Sequence, residues 1–251
     1  MRKKNFLLLI TKSIRRRMVS ILKYPKEIKN VIRVMKSASS FKLDYGEAMI
    51  RLDDLNLLIE PNWINDNILE FCCEYNEKNS NSDIMFLRPA MVHLLTNCND
   101  PETARIAAPS LLPQANVIFI PVNDNSQNIV GGSHWSLLVY SRKTETFYYY
   151  DSLNGYNLSS ARRTHARLSP LISNFKTSLV QVDTPKQING YDCGVYVICI
   201  TEEILRRINA NEKMESLDQW KLLNIVTPKN VTEKRSLLYK LMIALERESR
   251  S

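Results

Sequence analysis

The chain has 251 residues, 44% of them hydrophobic and 24% charged, with a formal net charge of +8. That balance fits a globular protein of one large domain, or one domain with an appendage, and no apolar run approaches the roughly 18 residues that span a bilayer. The charge is uneven: residues 1–40 carry 12 Lys and Arg against the single acid Glu27, whereas the remainder carries 22 basic and 25 acidic residues. A mildly acidic body argues against binding a nucleic-acid backbone. The five cysteines, Cys72, Cys73, Cys98, Cys193 and Cys199, have neither the spacing of a disulfide framework nor a C-x-x-C zinc pair. A reducing compartment, cytoplasm or nucleus, is therefore expected.

Taken in chain order, residues 1–42 read as a basic N-terminal extension and residues 43–251 as the folded body. The extension holds a five-residue apolar stretch, Phe6 to Ile10, and the run Arg15-Arg16-Arg17. A solvated tail, an amphipathic segment touching an anionic membrane or serving as a transit signal, and a patch for nuclear import or an acidic partner all fit it. Residues 45–58 alternate loosely, and Pro61-Asn62 marks a turn. Helical spacing of apolar groups predicts helices over 65–76 and 89–96. Residues 116–122 read as a buried strand, followed by a polar loop from Asn123 to Ser126 and by Gly131-Gly132. Strands are predicted at 133–140 and 147–151, with residues 141–146 linking them as a hairpin. A polar helix over 159–175, a strand over 178–182, a loop over 187–192, a helix from Val195 and a last amphipathic helix over 232–246 complete the body. Helices and strands interleave without strict β-α-β repetition, so the fold class is α+β.

The hairpin brings two polar residues together. If Tyr140 pairs with Phe147, then His134 faces Leu153 and Asp151 faces Ser136, which makes His134 and Asp151 diagonal neighbours on one face. A slip of one residue would separate them. Cys193 stands just before a helix, where orphan amides and the positive dipole end favour a thiolate. Asp192 is a plausible N-cap for that helix, and Gly194 leaves room at the turn. Gln187, in the preceding loop, is placed to donate an amide N–H to a developing oxyanion. The four residues supply a thiol, a base, an orienting carboxylate and an amide donor. The other cysteines read as core residues, and His93 and His165 as structural or exposed.

These residues sit in blocks that resemble the SUMO-specific protease superfamily: Gly-Gly-Ser-His-Trp-Ser-Leu-Leu-Val-Tyr (131–140), Tyr-Tyr-Asp-Ser (149–152) and Gln-Ile-Asn-Gly-Tyr-Asp-Cys-Gly-Val-Tyr-Val-Ile-Cys (187–199). The loop Val-Asn-Asp-Asn-Ser (122–126) resembles the deneddylase branch, which is specific for the neddylation modifier. Trp63-Ile64-Asn65-Asp66 is similar to the family's tryptophan-bearing turn, with Ile where Leu is usual. The likeness covers residues 43–246 and leaves the extension unmatched. It implies a papain-like α+β fold with the nucleophile on a central helix. It also implies that His134 is the base, Asp151 its orienter, Cys193 the nucleophile and Gln187 the oxyanion donor, with no metal or organic cofactor.

By the same resemblance, Trp63 and Trp135 enclose the last residues of the substrate, in a channel that admits only glycine. The alternative for both is core packing. Asp66 resembles a position that contacts the modifier's basic tail, and it could equally cap the helix that starts there. The implied partners are a ubiquitin-like modifier, the neddylation modifier first, and its conjugates such as cullins. The implied reaction is cleavage after the modifier's C-terminal diglycine. A SUMO- or ubiquitin-directed protease and an acetyltransferase of similar fold are the competing readings; Asp151 and the two tryptophans speak against the latter.

Overall fold

The computed structural model describes residues 41–80, 83–125, 131–210, 212, 214, 216–222 and 225–250. The expectations for residues 1–40 and Ser126 lie outside these. The described chain opens on a hairpin that the loose alternation of 45–58 did not resolve. β1 (Lys42–Tyr45) pairs antiparallel with β2 (Ala48–Arg51), and Gly46 turns between them at φ +60°. A side chain on Gly46 would meet the movable Glu74 side chain, and the positive φ is what favours glycine at this turn. α1 (Leu52–Leu57) follows, then α2 (Asp66–Lys78).

A five-stranded mixed sheet forms the centre. Its strands are β3 (Ile84–Phe86), β4 (Val117–Asn123), β5 (Trp135–Ser141), β6 (Thr146–Tyr150) and β7 (Ser178–Gln181), lying side by side in chain order. The outer pairs β3–β4 and β6–β7 are parallel, and the inner pairs are antiparallel. Between β3 and β4 run α3 (Pro89–Asn97) and α4 (Pro101–Ala107). Between β6 and β7 runs α5 (Leu158–Ile172), and after β7 come α6 (Cys193–Asn209), α7 (Leu217–Trp220) and α8 (Pro228–Arg250).

Both faces of the sheet are covered, which is why β5 and β6 are buried along their whole length. Trp135, Leu137, Val139, Tyr148 and Tyr150 point into one core, with α2, α6 and α8. Leu138, Tyr140, Phe147 and Tyr149 point into the other, with α3 and α5. The split follows the two-residue alternation of strands.

Several boundaries differ from the sequence reading for local reasons. α6 begins at Cys193 rather than Val195, so the thiol is the first helical residue. α5 ends at Ile172 rather than Phe175, because the backbone turns extended at Ser173. α8 runs from Pro228 to Arg250, longer at both ends than the 232–246 predicted. No helix among the described residues is long and apolar enough to cross a membrane.

Candidate active site

The hairpin register is the one the sequence called for, with Tyr140 opposite Phe147 and Leu137 opposite Tyr150. His134 and Asp151 lie one step beyond the ends of β5 and β6, and His134 Nε2 sits 2.6 Å from Asp151 Oδ1. Both side chains are buried. Asp151 is the hub of the site. Besides His134, it accepts from the Tyr149 hydroxyl at 2.7 Å, the Leu153 amide at 2.8 Å and the Asn157 amide at 2.9 Å. Burial alone would push the carboxyl pKa up, but these donors outweigh it and hold it below its ordinary value. The Asp151 amide in turn donates to Thr184 Oγ1, and the Asn157 side chain ties the turn to Ser136 Oγ and the Val122 carbonyl.

Burial works against a charged His134 ring. Its hydrogen bond to Asp151, and then the pull of the Cys193 thiol, more than reverse that and raise it from 6.5 to about 9. No hydrogen bond closes on the buried Nδ1; Cys193 is the second neighbour, after Asp151, that raises the ring. Tyr156 packs edge-on against the imidazole, with centroids 5.5 Å apart. Asp124 accepts from the Ser133 and His134 amides and holds the entry to β5.

Cys193 is buried at the N-terminus of α6, where its own amide and those that follow are unpaired by the helix. The remaining cysteines are free thiols, Cys72 and Cys199 deep in the core and Cys73 and Cys98 half-buried. Burial pushes Cys73 and Cys199 up to about 12 and Cys72 well above its usual value, so these three stay protonated and unreactive. Gly194 is required by packing: a Cβ there would lie 2.5 Å from Ile64 Cγ1 and 3.3 Å from Trp135 Cδ1. The Trp63 turn and the Trp135 strand thus converge on the first turn of α6.

Gln187 is anchored in its loop by bonds at both ends of its side-chain amide. Its Oε1 accepts from Ser152 Oγ at 2.7 Å, and its Nε2 donates to the Asn189 carbonyl at 2.7 Å. Because a carbonyl can only accept, this network fixes which end of the amide is nitrogen. One N–H of Nε2 is committed within the loop. The expected N-cap needs correction. Asp192 occupies the cap position but makes no capping bond, because its carboxylate accepts from Arg235 Nε at 2.7 Å and Asn189 Nδ2 at 2.7 Å. A buried guanidinium is a stronger partner than a backbone amide.

The two tryptophans differ in burial. Trp63 is 51% exposed, and its Nε1 donates to the Gly190 carbonyl at 2.7 Å, so it stands over the loop leading to Cys193. Trp135 is only 8% exposed and packs in the core beside α6. Asp66 is exposed and does not cap α2, since Asn65 does so by accepting from the Ile68 amide. Asp66 instead lines a pocket of about 350 Å³ with Trp135, His93, Asn123 and Arg163. His165 is structural, bonded to Thr177 and packed on Phe147. No group of acidic, histidine or cysteine side chains among the described residues could hold a metal ion.

Three contributors escaped the sequence reading. Tyr149 shares a face with Asp151 two residues on, so the strand period could have found it. Arg235 interrupts an apolar stripe of α8, Val231, Leu238, Tyr239 and Met242, all buried. A lone arginine in such a stripe signals a buried ion pair. Asn157 left no signal.

Comparison with known proteins agrees with this geometry. The signature described as the Ulp1 protease family, C-terminal catalytic domain, matches residues 62–232. Sentrin-specific protease 8 of Rattus norvegicus is 33% identical over 83% of this chain and 97% of its own length. NEDD8-specific protease 1 of Arabidopsis thaliana is 33% identical over 82% of this chain and 94% of its own. Among solved structures, the C-terminal Ulp1 protease domain in complex with Smt3, the yeast ortholog of SUMO, is 23% identical. It has a TM-score of 0.58, over 85% of this chain and 94% of that one. The fold is thus the papain-like arrangement of the Ulp1 domain, and this chain belongs to the Ulp1 family of cysteine proteases.

Proposed function

We propose that this enzyme cleaves the bond after the C-terminal diglycine of NEDD8, both in the modifier's precursor and in NEDD8-conjugated proteins. The observation that carries the reading is the buried His134–Asp151 pair, whose imidazole is raised to about 9 by Asp151 and by the Cys193 thiol at the start of α6. An imidazolium beside a thiol at a helix N-terminus supports a thiolate nucleophile. The choice of modifier is supported by relatives whose names state NEDD8 specificity.

In this mechanism, thiolate Cys193 attacks the carbonyl of the terminal glycine. The second N–H of Gln187 and the amide of Cys193 receive the oxyanion, a stabilisation worth about 3–4 kcal/mol per donor. His134 gives its proton to the leaving amine, whether a lysine side chain or a chain N-terminus. Water, deprotonated by His134, then releases the modifier from the thioester. Asp151 keeps the ring oriented throughout. Trp63 and Trp135 flank the glycines, and Asp66, freed from capping, meets a basic residue of the modifier's tail.

The direct test gives the purified protein C-terminally extended NEDD8, SUMO and ubiquitin in equal amounts. Faster processing of NEDD8, abolished by Cys193→Ala, is the expected outcome. Preferential processing of SUMO would move the chain to the SUMO-directed reading, and turnover by Cys193→Ala would remove the assigned nucleophile.

A further inference from the structure

Arg235 lies far from Cys193 in sequence, at the middle of α8, with 0% of its surface exposed. Its guanidinium makes four bonds to two segments. Nε donates to Asp192 Oδ1 at 2.7 Å, and Nη2 to the Tyr191 carbonyl at 2.9 Å, both in the loop that delivers Cys193. Nη1 donates to the Leu57 carbonyl at 3.0 Å, and Nη2 also to the Asn62 carbonyl at 3.0 Å, at the two ends of the turn that presents Trp63. Only a planar fork of donors can serve carbonyls on both sides at once. A second tie joins the same two segments, from Trp63 Nε1 to the Gly190 carbonyl. Below them, Ile64 presses on Gly194.

We propose that Arg235 is a positioning residue that sets the gap between the Trp63 turn and the Cys193 loop, and so fixes the width of the channel that admits diglycine. The inference rests on the proposed reading of the site and adds a specificity determinant to it. Arg235 touches neither substrate nor thiol. Its effect passes through backbone carbonyls on either side of the gap. Asp192 supplies the charge that keeps the guanidinium in place, which explains why that carboxylate is withdrawn from capping α6.

The test uses Arg235→Lys, which keeps the charge facing Asp192 but cannot reach both carbonyl pairs. Three quantities are read at matched folded fraction: kcat and KM on a NEDD8 precursor, the same on a precursor ending in Gly-Ala, and the rate at which iodoacetamide alkylates Cys193. The wild-type protein, measured first, must need Cys193 and reject Gly-Ala; failure there overturns the reading of the site itself. With that satisfied, Arg235→Lys is expected to raise KM for Gly-Gly by about tenfold, narrow the gap to Gly-Ala, and leave alkylation within about twofold. Unchanged KM and unchanged rejection of Gly-Ala would overturn the inference, as would alkylation slowed as much as turnover. If Arg235→Lys does not fold, Trp63→Phe cuts the second tie at an exposed residue and keeps an aromatic ring. It is expected to show the same rise in KM and loss of rejection, and full retention of both would equally overturn the proposal.

Discussion

At the scale of single residues, the site depends on one buried carboxylate. Asp151 satisfies four donors and keeps the His134 imidazole charged to about pH 9. Asp151→Asn should therefore lower the imidazole from about 9 toward its ordinary range, leaving burial opposed by Cys193 alone. The rate should fall by about 10³ to 10⁴. An NMR titration of His134 beside the kinetics checks both, and an unmoved titration would mean that Asp151 does not control the ring. The sign for stability follows from the raised pKa. The pair's contribution is complete below about pH 6.5, where both folded and unfolded imidazoles are charged, and is lost as pH climbs through about 9. Turnover should decline over the same alkaline range as the imidazolium loses its proton. Cys199→Ala should leave activity nearly intact, since its thiol is held at about 12 by burial; loss of turnover without loss of fold would contradict that.

Between elements, the tryptophans should behave differently. Trp135 sits in the strand and the core, so Trp135→Ala should cost about 3–5 kcal/mol of stability along with its rate effect. Trp63 is half exposed on a turn, so Trp63→Ala should stay within about 1 kcal/mol of native stability yet slow cleavage about 10- to 100-fold. Thermal unfolding measured with kinetics separates the two, and equal destabilisation would undo the distinction. Much of this level was legible in the sequence. The pairing of Tyr140 with Phe147, against the one-residue slip, is the register observed, and it brings His134 to Asp151. The Cys193 helix was legible from its apolar face, though not its starting residue, because N-terminal turns carry no periodic signal. β1 and β2 are four residues each, too short for alternation to stand out. The true partner of Asp192 could not be read, since Arg235 reaches it across 43 residues of chain. Local capping chemistry was the only reading on offer.

For the whole molecule, the mildly acidic body and the basic residues 1–40 are separable in charge. Phe41 and Leu43 are buried, and β1 packs in the core with α8. Removing residues 1–40 should leave kcat/KM on a soluble precursor within about twofold, whereas removing 1–45 should also strip β1 and unfold part of the domain, costing several kcal/mol. Circular dichroism and precursor cleavage on the two truncations decide this; a large loss of activity in the shorter truncation, with folding intact, would give the extension a catalytic part. Every step of the proposed mechanism depends on Cys193 being the nucleophile of a NEDD8-directed site. It is tested most directly by reacting the protein with NEDD8, SUMO and ubiquitin that each carry an electrophile in place of the terminal carboxylate, and mapping the adduct by mass spectrometry. Rapid attachment of NEDD8 to Cys193 is expected, with SUMO and ubiquitin slower. Attachment at Cys72, Cys73, Cys98 or Cys199, or faster attachment of SUMO or ubiquitin, would contradict it.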